Sequence, residues 1–523
     1  MKIAVIDCLG CGSSGRRYST LDVISVGPRL LVGIIEGLGH EADLILCEEG
    51  IKGGVRGYDA VFVSGMATDV ESMIRVVSRC GAVPKVAGGP SCVEYSRLLR
   101  GGFDYVVYGE AEASIPKLLK VLEGLTEPNE VPNLIYRVGN ELVRNEGPKY
   151  LGRNELWRYE PSVKVITKYP GWWGARIYVE VVRGCSNFFR PTIPLPNGRK
   201  CVGCGKCRSG DLIDRLECPV GIPPGCGYCS VPSLFGPPRS RPLSSILREV
   251  KELLRLGIRR LVLSAPDFLD YGRDLLVDPK PLTNPREPPP NLGAIEELLS
   301  SVSELIKSSG RRVYLMIENV KPNLVSEEVA ELLGKYLRGT PVSIGLETGD
   351  EWHHRALGRP STVNEVIKAV ELLSRAGLKP YVYLIHGLPG ESKSTIKNTI
   401  KVVRKLWRLG VEKITLYRFT PFKGTAFGGF RKPPPAIKSV TAKKLYYLVR
   451  RLNREAKERL LGSVVEATVV SRVGKSLIAY TLPHGPVIKL LGSSELIGKL
   501  VRVRVTHVES DRVVHGVVTE VLE

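Results

Sequence analysis

The sequence predicts an α/β chain with an N-terminal doubly wound parallel sheet, a central partial (β/α)6 barrel and a C-terminal small β-barrel. Three observations predict it. Short apolar runs alternate with helical stretches through residues 1–125, and a second series of such βα units runs from 177 to 418. The last sixty residues then change to short β runs broken by Gly, Pro and Asp. At 523 residues the chain has room for roughly three or four domains of about 150 residues, and its 43% apolar content is ample for their cores.

In the first domain, 1–150, the predicted strands are 3–6, 42–46, 60–64, 85–87 and 105–107, with helices at 30–39, 69–79 and 113–122. Open parallel sheets bind ligands beyond the carboxyl ends of their strands. The loops there, 8–15, 64–68, 88–91 and 108–110, are rich in glycine and small hydroxyl residues. Ser64, Gly65, Gly88, Gly89 and Gly109 would let a large flat ligand approach the backbone closely. Ordinary strand-to-helix turn chemistry accounts for the same glycines equally well.

A connector with short strand-like pieces ends at Trp172-Trp173-Gly174, and the central domain, 176–430, follows. Its predicted strands are 177–182, 260–264, 313–317, 342–346, 380–385 and 413–418, separated by helices at 246–256, 294–308, 327–337, 362–376 and 393–409. Such a barrel carries its active groups at the strand C-termini. The Pro-rich stretch 278–290 breaks this rhythm and reads as a surface insertion. Residues 431–461 form a linker and a basic helix. Short β runs at 464–470, 477–481, 487–490, 500–506 and 512–521 make 462–523 a small barrel.

Composition bounds the setting. No run of eighteen apolar residues occurs, which argues against a membrane span. The start, Met1-Lys2-Ile3-Ala4-Val5-Ile6-Asp7, reads as a buried strand without a secretory signal. A cytoplasmic protein with reduced thiols is expected. The formal net charge of +21 favours a polyanionic partner, nucleic acid being the commonest. From 431 to 523 there are 17 Lys and Arg against 8 Asp and Glu, so the tail shares the excess. A generally basic proteome from a hot habitat is the plainer explanation of charge alone.

Seven of the twelve cysteines fall between Arg183 and Ser230. In a reducing compartment such crowding points to metal or iron–sulfur ligation rather than disulfides. Cys185 ends the first barrel strand, and Cys226-Gly227-Tyr228-Cys229 follows a Gly-Pro loop, so a barrel can gather Cys185, Cys226 and Cys229. Three thiolates on a four-iron cluster leave one iron open for a substrate or cofactor, and structural zinc is the alternative. Cys201-x2-Cys204-x2-Cys207 and Cys218-Pro219 lie between, in an insertion spanning 186–225.

These residues resemble the radical S-adenosylmethionine superfamily. Its hallmark is Cys-x3-Cys-x2-Cys after a first strand; here Arg183-Gly184-Cys185 and Cys226-Gly227-Tyr228-Cys229 match the two ends, forty residues apart instead of three. Ser264-Ala265-Pro266-Asp267 stands where the family binds the methionine amino group. Ile344-Gly345-Leu346-Glu347-Thr348-Gly349 with Ala356-Leu357-Gly358-Arg359 is similar to the strand-four segment of methylthiotransferase-like members. His386-Gly387-Leu388-Pro389-Gly390-Glu391 is similar to the strand-five turn. The likeness covers about residues 176–425. It implies that the open iron chelates S-adenosylmethionine and that reductive cleavage yields a 5′-deoxyadenosyl radical, with ferredoxin or flavodoxin as electron donor. Tyr228 would lie near the adenine and Glu347 near the ribose or the methionyl end. The run Cys201, Cys204, Cys207 and Cys218 is similar to a ferredoxin sequence and implies a second four-iron cluster, with structural zinc again the alternative.

The N-terminal domain resembles the cobalamin-binding module that precedes many such cores, on Tyr58-Asp59-Ala60-Val61-Phe62-Val63-Ser64-Gly65, Ala87-Gly88-Gly89-Pro90 and Asp104-Tyr105-Val106-Val107-Tyr108-Gly109-Glu110. The module's Asp-x-His-x2-Gly loop is absent, and His40 is the domain's only histidine, so a corrinoid here would lack that ligand. Methylthiotransferases instead place three cysteines on this domain, and Cys11, Cys47 and Cys80 have roughly that spacing. The last sixty residues resemble the TRAM domain of RNA-modifying enzymes, on 496–503 and 514–518. Together these likenesses imply a radical enzyme that modifies tRNA or rRNA, by cobalamin-dependent carbon methylation. The alternatives are methylthiolation of a tRNA base and a non-catalytic iron–sulfur or zinc RNA-binding protein.

Overall fold

The computed structural model describes residues 1–17 and 21–523. The chain divides into two compact units. The first comprises Met1–Trp172 with Leu234–Gly236 and Arg241–Leu253; the second comprises Trp173–Ser233, Pro237–Ser240 and Leu254–Glu523. No helix among the described residues is long and apolar enough to cross a membrane.

The first unit is built on a sheet that sets Lys2–Asp7 between Glu41–Leu46 and Ala60–Ser64, then continues through Lys85–Gly88 and Tyr105–Val107, all parallel. Ile3, Ala4, Val5 and Ile6 are fully buried, as a parallel strand covered by helices on both faces must be. The five expected strands therefore form. Helices Gly27–Gly37, Val70–Val77 and Ser114–Leu122 stand where apolar periodicity puts them, with ends shifted by a few residues. The strand order reverses between Lys2–Asp7 and Ala60–Ser64, which opens a crevice outside their carboxyl ends. Leu134–Val138 and Glu141–Arg144 add an antiparallel hairpin to the sheet, Tyr136 facing Tyr105. These are among the short strand-like pieces expected in the connector; their pairing with each other and with the sheet is what the sequence does not show.

A charged cluster is sealed inside this unit. The Arg29 guanidinium meets Glu249 at 2.7 Å with both side chains out of solvent, and Arg241 holds the other Glu249 oxygen. Arg241 also reaches Glu160 at 2.9 Å. One carboxylate thus neutralises two buried cations.

In the second unit six parallel strands follow in chain order: Arg176–Glu180, Arg260–Ser264, a broken third strand, Pro341–Glu347, Lys379–His386 and Lys413–Arg418. The third is interrupted at Glu318. Tyr314–Ile317 pairs back to Arg260–Ser264, Asn319–Val320 pairs forward to Pro341–Glu347, and the Ser343 N–H donates to the Glu318 carbonyl at 2.9 Å. The outer edge of Lys413–Arg418 is covered by the helix Lys443–Glu458. Buried Asn453 accepts from the Ile414 N–H at 2.9 Å and donates to its carbonyl at 2.7 Å, standing in for a further strand. The stretch 278–290 is no loose surface insertion. Leu282 and Thr283 are buried, and fully buried Arg273 donates to the Pro288 carbonyl.

Five strands, Val464–Val473, Ser476–Thr481, Val487–Leu490, Leu500–Val508 and Val513–Val521, close into the small barrel, around Val469, Leu477, Ile488, Val501 and Val503. It is seated on the six-stranded core. Trp173 donates its indole N–H to the Val469 carbonyl at 3.0 Å, and the Tyr381 hydroxyl donates to the His484 carbonyl at 2.9 Å. A side chain at Gly174 would meet Val470 at 2.3 Å, so that position admits only glycine.

Glu249→Gln keeps the volume but leaves Arg29 and Arg241 without their buried counter-charge. A loss of about 3–5 kcal/mol is expected in the unfolding transition of the first unit, measured by urea titration. A loss below about 1 kcal/mol would mean that Glu160 neutralises both arginines alone.

Candidate active site

The carboxyl ends of the six strands gather the residues singled out in the sequence. Gly184, at φ 93°, turns the chain after Val182–Arg183 and brings Cys185 to the rim. Asn187 then joins the two halves of the cysteine motif: its N–H points at the Cys185 sulfur at 3.5 Å, and its side-chain amide donates to the Cys226 sulfur at 3.2 Å and to the Gly358 carbonyl at 3.1 Å. The intervening forty residues leave and return through a narrow neck. Gly225 N–H donates to the Phe189 carbonyl at 2.8 Å, and Arg190 donates to the carbonyls of Phe188, Arg215, Leu216 and Ile222. The long gap is therefore a loop on an intact site.

Cys226 and Cys229 are set by backbone bonds. The Cys229 N–H donates to the Cys226 carbonyl at 2.8 Å, Gly227 N–H to Leu357 at 2.9 Å, and Phe427 N–H to the Gly227 carbonyl at 2.7 Å. Burial pushes the Cys185 thiol up to about 11, Lys321 opposing it. Burial and the neighbouring Cys226 and Cys185 push Cys229 up to about 12. Asn187 touches the sulfurs of Cys185 and Cys226, and both of those thiols act on Cys229, so the three share one neighbourhood. No trio spaced for a single metal ion occurs among the described residues; an iron–sulfur cluster, which spreads its thiolates over several irons, is the group these residues fit, since a metal would displace the protons that burial retains.

Arg359 closes one side. Its guanidinium lies 3.6 Å from the Cys226 sulfur, donates to the Tyr228 hydroxyl at 3.2 Å and to the Gly345 carbonyl at 2.6 Å, and pairs with Glu347 at 3.6 Å. Glu347 follows a β-bulge and has φ 62°, an uncommon conformation for this residue type. Burial raises its carboxyl pKa, while Arg359 and Tyr228 favour the ionised form. Arg359 Nε and His386 Nδ1 are buried without a hydrogen-bond partner among the described residues. Such orphans are rare in folded cores and mark this end of the barrel as a place for a bound group.

Lys321 anchors the other side. Its ammonium donates to Asp267 at 2.9 Å, to Asp270 at 2.6 Å and to the Ser186 hydroxyl at 2.8 Å. Asp270 also accepts from the Ser186 hydroxyl at 2.9 Å, so the turn after Cys185 is tied to this pair. Asp267 is wholly buried, and Ser264 donates to Glu318 at 2.6 Å. The sequence singled out Ser264 and Asp267 but missed Asn187, Glu318 and Lys321. Arg359 was visible in its Ala-Leu-Gly-Arg segment, yet nothing local shows that it reaches Cys226.

Within the insertion, Cys201, Cys207 and Cys218 are partly buried and Cys204 is exposed. Cys201 and Cys218 pack against an apolar cluster that includes Ile193, Leu195 and Phe427. Arg215 fixes the loop carrying Cys207 by donating to the carbonyls of Cys207, Arg208 and Gly210. Both Cys201 and Cys207 act electrostatically on Arg208, which brings those two thiols to one side of the loop.

In the first unit the strand-end loops are knitted by Asp69, whose carboxylate accepts from the N–H groups of Gly10, Gly12 and Met66 at 2.7–3.2 Å. A side chain at Gly89 would come within 3.2 Å of Ser64 and 3.1 Å of Gly65, whereas one at Gly88 would meet nothing within 4 Å. Gly109, at φ 86°, ends the next strand. Of these positions only Gly88 faces open space. His40 sits at the opposite end of the sheet, beside the Met1 amino group at 3.2 Å, so these residues fit a corrinoid only without a histidine donor. Cys8, Cys11 and Cys47 are all buried, and Cys47 lies beside both of the others. Cys80 bonds instead to the Val76 carbonyl at 3.5 Å.

Residues 218–403 match a family described as the Radical SAM superfamily. The chain is 43% identical to an uncharacterised protein of Methanopyrus kandleri, over 100% of this chain and 97% of that one. It is 37% identical to one of Methanocaldococcus jannaschii, over 97% and 96%. A tRNA-2-methylthio-N(6)-dimethylallyladenosine synthase of Clostridium tetani is 24% identical over 76% of this chain and 83% of its own. Among solved structures, the radical S-adenosylmethionine methyltransferase TsrM of Kitasatospora setae, with cobalamin and a 4Fe-4S cluster bound, has a TM-score of 0.58 at 15% identity, over 83% of this chain and 79% of that one. The cobalamin-dependent S-adenosylmethionine radical enzyme OxsB, with aqua-cobalamin bound, has a TM-score of 0.56 at 13% identity, over 88% and 56%. At these identities the structural likeness is one of fold.

A Cβ at Gly227 would lie 2.4–2.7 Å from the Phe427 ring. Gly227→Ala is expected to displace the loop carrying Cys226 and Cys229 and to lower iron retained after anaerobic reconstitution several-fold. Adding Phe427→Leu should restore much of it. Full iron loading in the single variant would show that this loop does not hold the metal.

Proposed function

We propose that this chain, which belongs to the radical SAM superfamily, methylates an RNA at an unactivated carbon with the help of a corrinoid. As a radical SAM enzyme it uses a 4Fe-4S cluster and S-adenosylmethionine. Methylation is preferred to methylthiolation on one observation: the sulfurs of the first unit do not form the set that methylthiolation would call for. Cys47 lies beside Cys11 and Cys8, whereas the Cys80 thiol turns back to the Val76 carbonyl at 3.5 Å and does not join them. Of the strand-end glycines, Gly88 faces open space and leaves room for a flat ligand beside Ser64, while Gly65, Gly89 and Gly109 pack against the chain's own atoms and shape the loops around it. The likeness of fold to two cobalamin-bound enzymes supports the same reading.

When loaded, the cluster with S-adenosylmethionine supplies homolytic chemistry at a C–H bond and the corrinoid supplies the methyl group. In this reading Cys185, Cys226 and Cys229 hold the cluster, and Asn187 fixes the directions of two of the sulfurs. Arg359 sets a positive charge against the thiolates and orients Tyr228 and Glu347 toward the bound nucleoside. Lys321 neutralises Asp267 and Asp270, so the turn after Cys185 keeps its shape without a free negative charge beside the sulfurs. Ser264, half-buried, lines the methionyl end, with Asp267 buried behind it and held by Lys321. Cys201, Cys204, Cys207 and Cys218 would hold a second cluster, which would supply either a relay for electrons from a donor such as ferredoxin or flavodoxin or a substrate site. The net charge of +21 and the TRAM-like barrel support an RNA substrate, tRNA or rRNA.

The test is anaerobic reconstitution with iron, sulfide and hydroxocobalamin, followed by metal analysis of the desalted protein. About eight irons, the content of two four-iron clusters, with one cobalt is the expected result. Iron without cobalt would replace methylation by methylthiolation or a corrinoid-free reaction, and zinc alone would end the radical reading. Cys226→Ala should reduce 5′-deoxyadenosine formation to background while RNA affinity stays at the wild-type value. Surviving turnover would overturn the ligand assignment.

A further inference from the structure

We infer that the exposed face of the helix Lys393–Arg408 is the docking surface for the phosphate backbone of the RNA; this rests on the RNA reading above and adds to it where the polyanion lies. The helix reads Lys-Ser-Thr-Ile-Lys-Asn-Thr-Ile-Lys-Val-Val-Arg-Lys-Leu-Trp-Arg, with six cations and no carboxylate in 16 residues. Lys393, Lys397, Lys401, Arg404, Lys405 and Arg408 are all exposed. At about 100° per residue they occupy a single arc of about 120°, opposite the buried Thr395, Ile396, Thr399, Val403 and Leu406. None of the six has an ion-pair or hydrogen-bond partner among the described residues.

That arrangement works against the helix itself. Lys393, Lys397, Lys401 and Lys405 repel at successive i,i+4 positions, as do Arg404 and Arg408, and the first two also stand at the positive end of the helix dipole. The neighbouring helix Lys443–Glu458 does the opposite, pairing Arg451 with Glu455 at 3.4 Å and Arg454 with Glu458 at 3.0 Å. On the small barrel, Lys489 pairs with Glu509 and Arg502 with Glu520. A solvated face can carry i,i+4 carboxylates with a gain in helix stability. Their absence from this one helix leaves the counter-charge to come from outside the chain.

Position supports the same occupant. The helix is capped by Ser392 and begins directly after the turn at His386–Glu391, at the reaction end of the strands. The Pro389 carbonyl in that turn lies 2.8 Å from His353 Nε2, and Glu391 accepts from the Thr441 hydroxyl at 2.9 Å. The stripe thus starts at the rim of the candidate active site and runs about 24 Å from it at 1.5 Å per residue. At its far end Arg459 lies over the Trp407 ring at 4.9 Å and adds a further cation. A row of cations without base-reading groups is what tracks a phosphate backbone while the reacting nucleotide is presented elsewhere.

The test compares two full-length double variants with the same change in net charge, Lys397→Glu with Lys401→Glu and Arg451→Glu with Arg454→Glu. The probes are unmodified tRNA transcripts and rRNA fragments, each titrated over a series of salt concentrations. The first pair relieves repulsion within its helix, so it should fold at least as well as the wild type, which thermal unfolding checks. The expected result is at least about 10-fold weaker binding with a salt slope shallower by about 1.5 for the first pair, and within about threefold of wild type for the second. Equal weakening in both pairs would reduce the stripe to bulk charge and overturn the inference. Wild-type affinity in the first pair would overturn it while leaving the RNA reading intact. A wild-type chain that binds neither probe would overturn both, and an acidic protein would become the partner to seek.

Discussion

The amide of Asn187 spans the sulfurs of Cys185 and Cys226 and the carbonyl of Gly358, joining three segments that are remote in sequence. The contact is possible because the insertion between the two cysteines is pinched at its neck by the Gly225–Phe189 backbone bond and the Arg190 guanidinium. Gly358 completes the junction, since a Cβ there would press against the backbone of Arg190, Pro191 and Gly225 at 2.9–3.0 Å. Without this junction the first thiol would sit on a strand end and the other two on a distant loop. With it, a forty-residue excursion returns the chain so that Cys226 lies within reach of the Asn187 side chain, whose N–H points at Cys185.

Around that junction charge is handled in the same way on both sides. Arg359 and Lys321 are cations taken out of water, each surrounded by groups that need it. Arg359 serves Glu347, Tyr228 and Cys226; Lys321 serves Asp267, Asp270 and Ser186. Buried ions are costly unless their remaining hydrogen-bonding capacity is met. Lys321 meets this condition fully, while Arg359 keeps one N–H unsatisfied. The two sides therefore differ: the Lys321 side is a closed structural network, whereas the Arg359 side retains capacity for a bound group. The first unit leaves an open backbone at Gly88.

Much of the architecture was legible because burial writes itself into local pattern. Parallel strands covered on both faces need unbroken apolar runs, and Ile3-Ala4-Val5-Ile6 and Ala60-Val61-Phe62-Val63 have them. The small barrel was legible from its short β runs and turn residues. Strand-like pieces were legible in the connector too, but not that two of them pair as a hairpin at 134–144 and join the sheet, because four- and five-residue strands carry too little periodicity to set a register. The Pro-rich stretch 278–290 misled for a related reason: proline excludes regular structure but says nothing about burial, and Arg273 draws that stretch onto the core.

By itself the sequence determined the kinds of groups available: seven clustered cysteines, glycine-rich strand ends, a surplus of positive charge and the order of strands and helices. These are local or compositional properties, and local physics suffices to read them. Only the tertiary structure decided which groups meet. Asn187 reaches Cys226, Arg359 reaches Cys226 and Lys321 reaches Asp267 across 39, 133 and 54 residues. Cys8, rather than Cys80, joins Cys11 and Cys47. No periodicity encodes such pairings, because chain separation does not fix which loops a folded sheet brings together at its carboxyl edge.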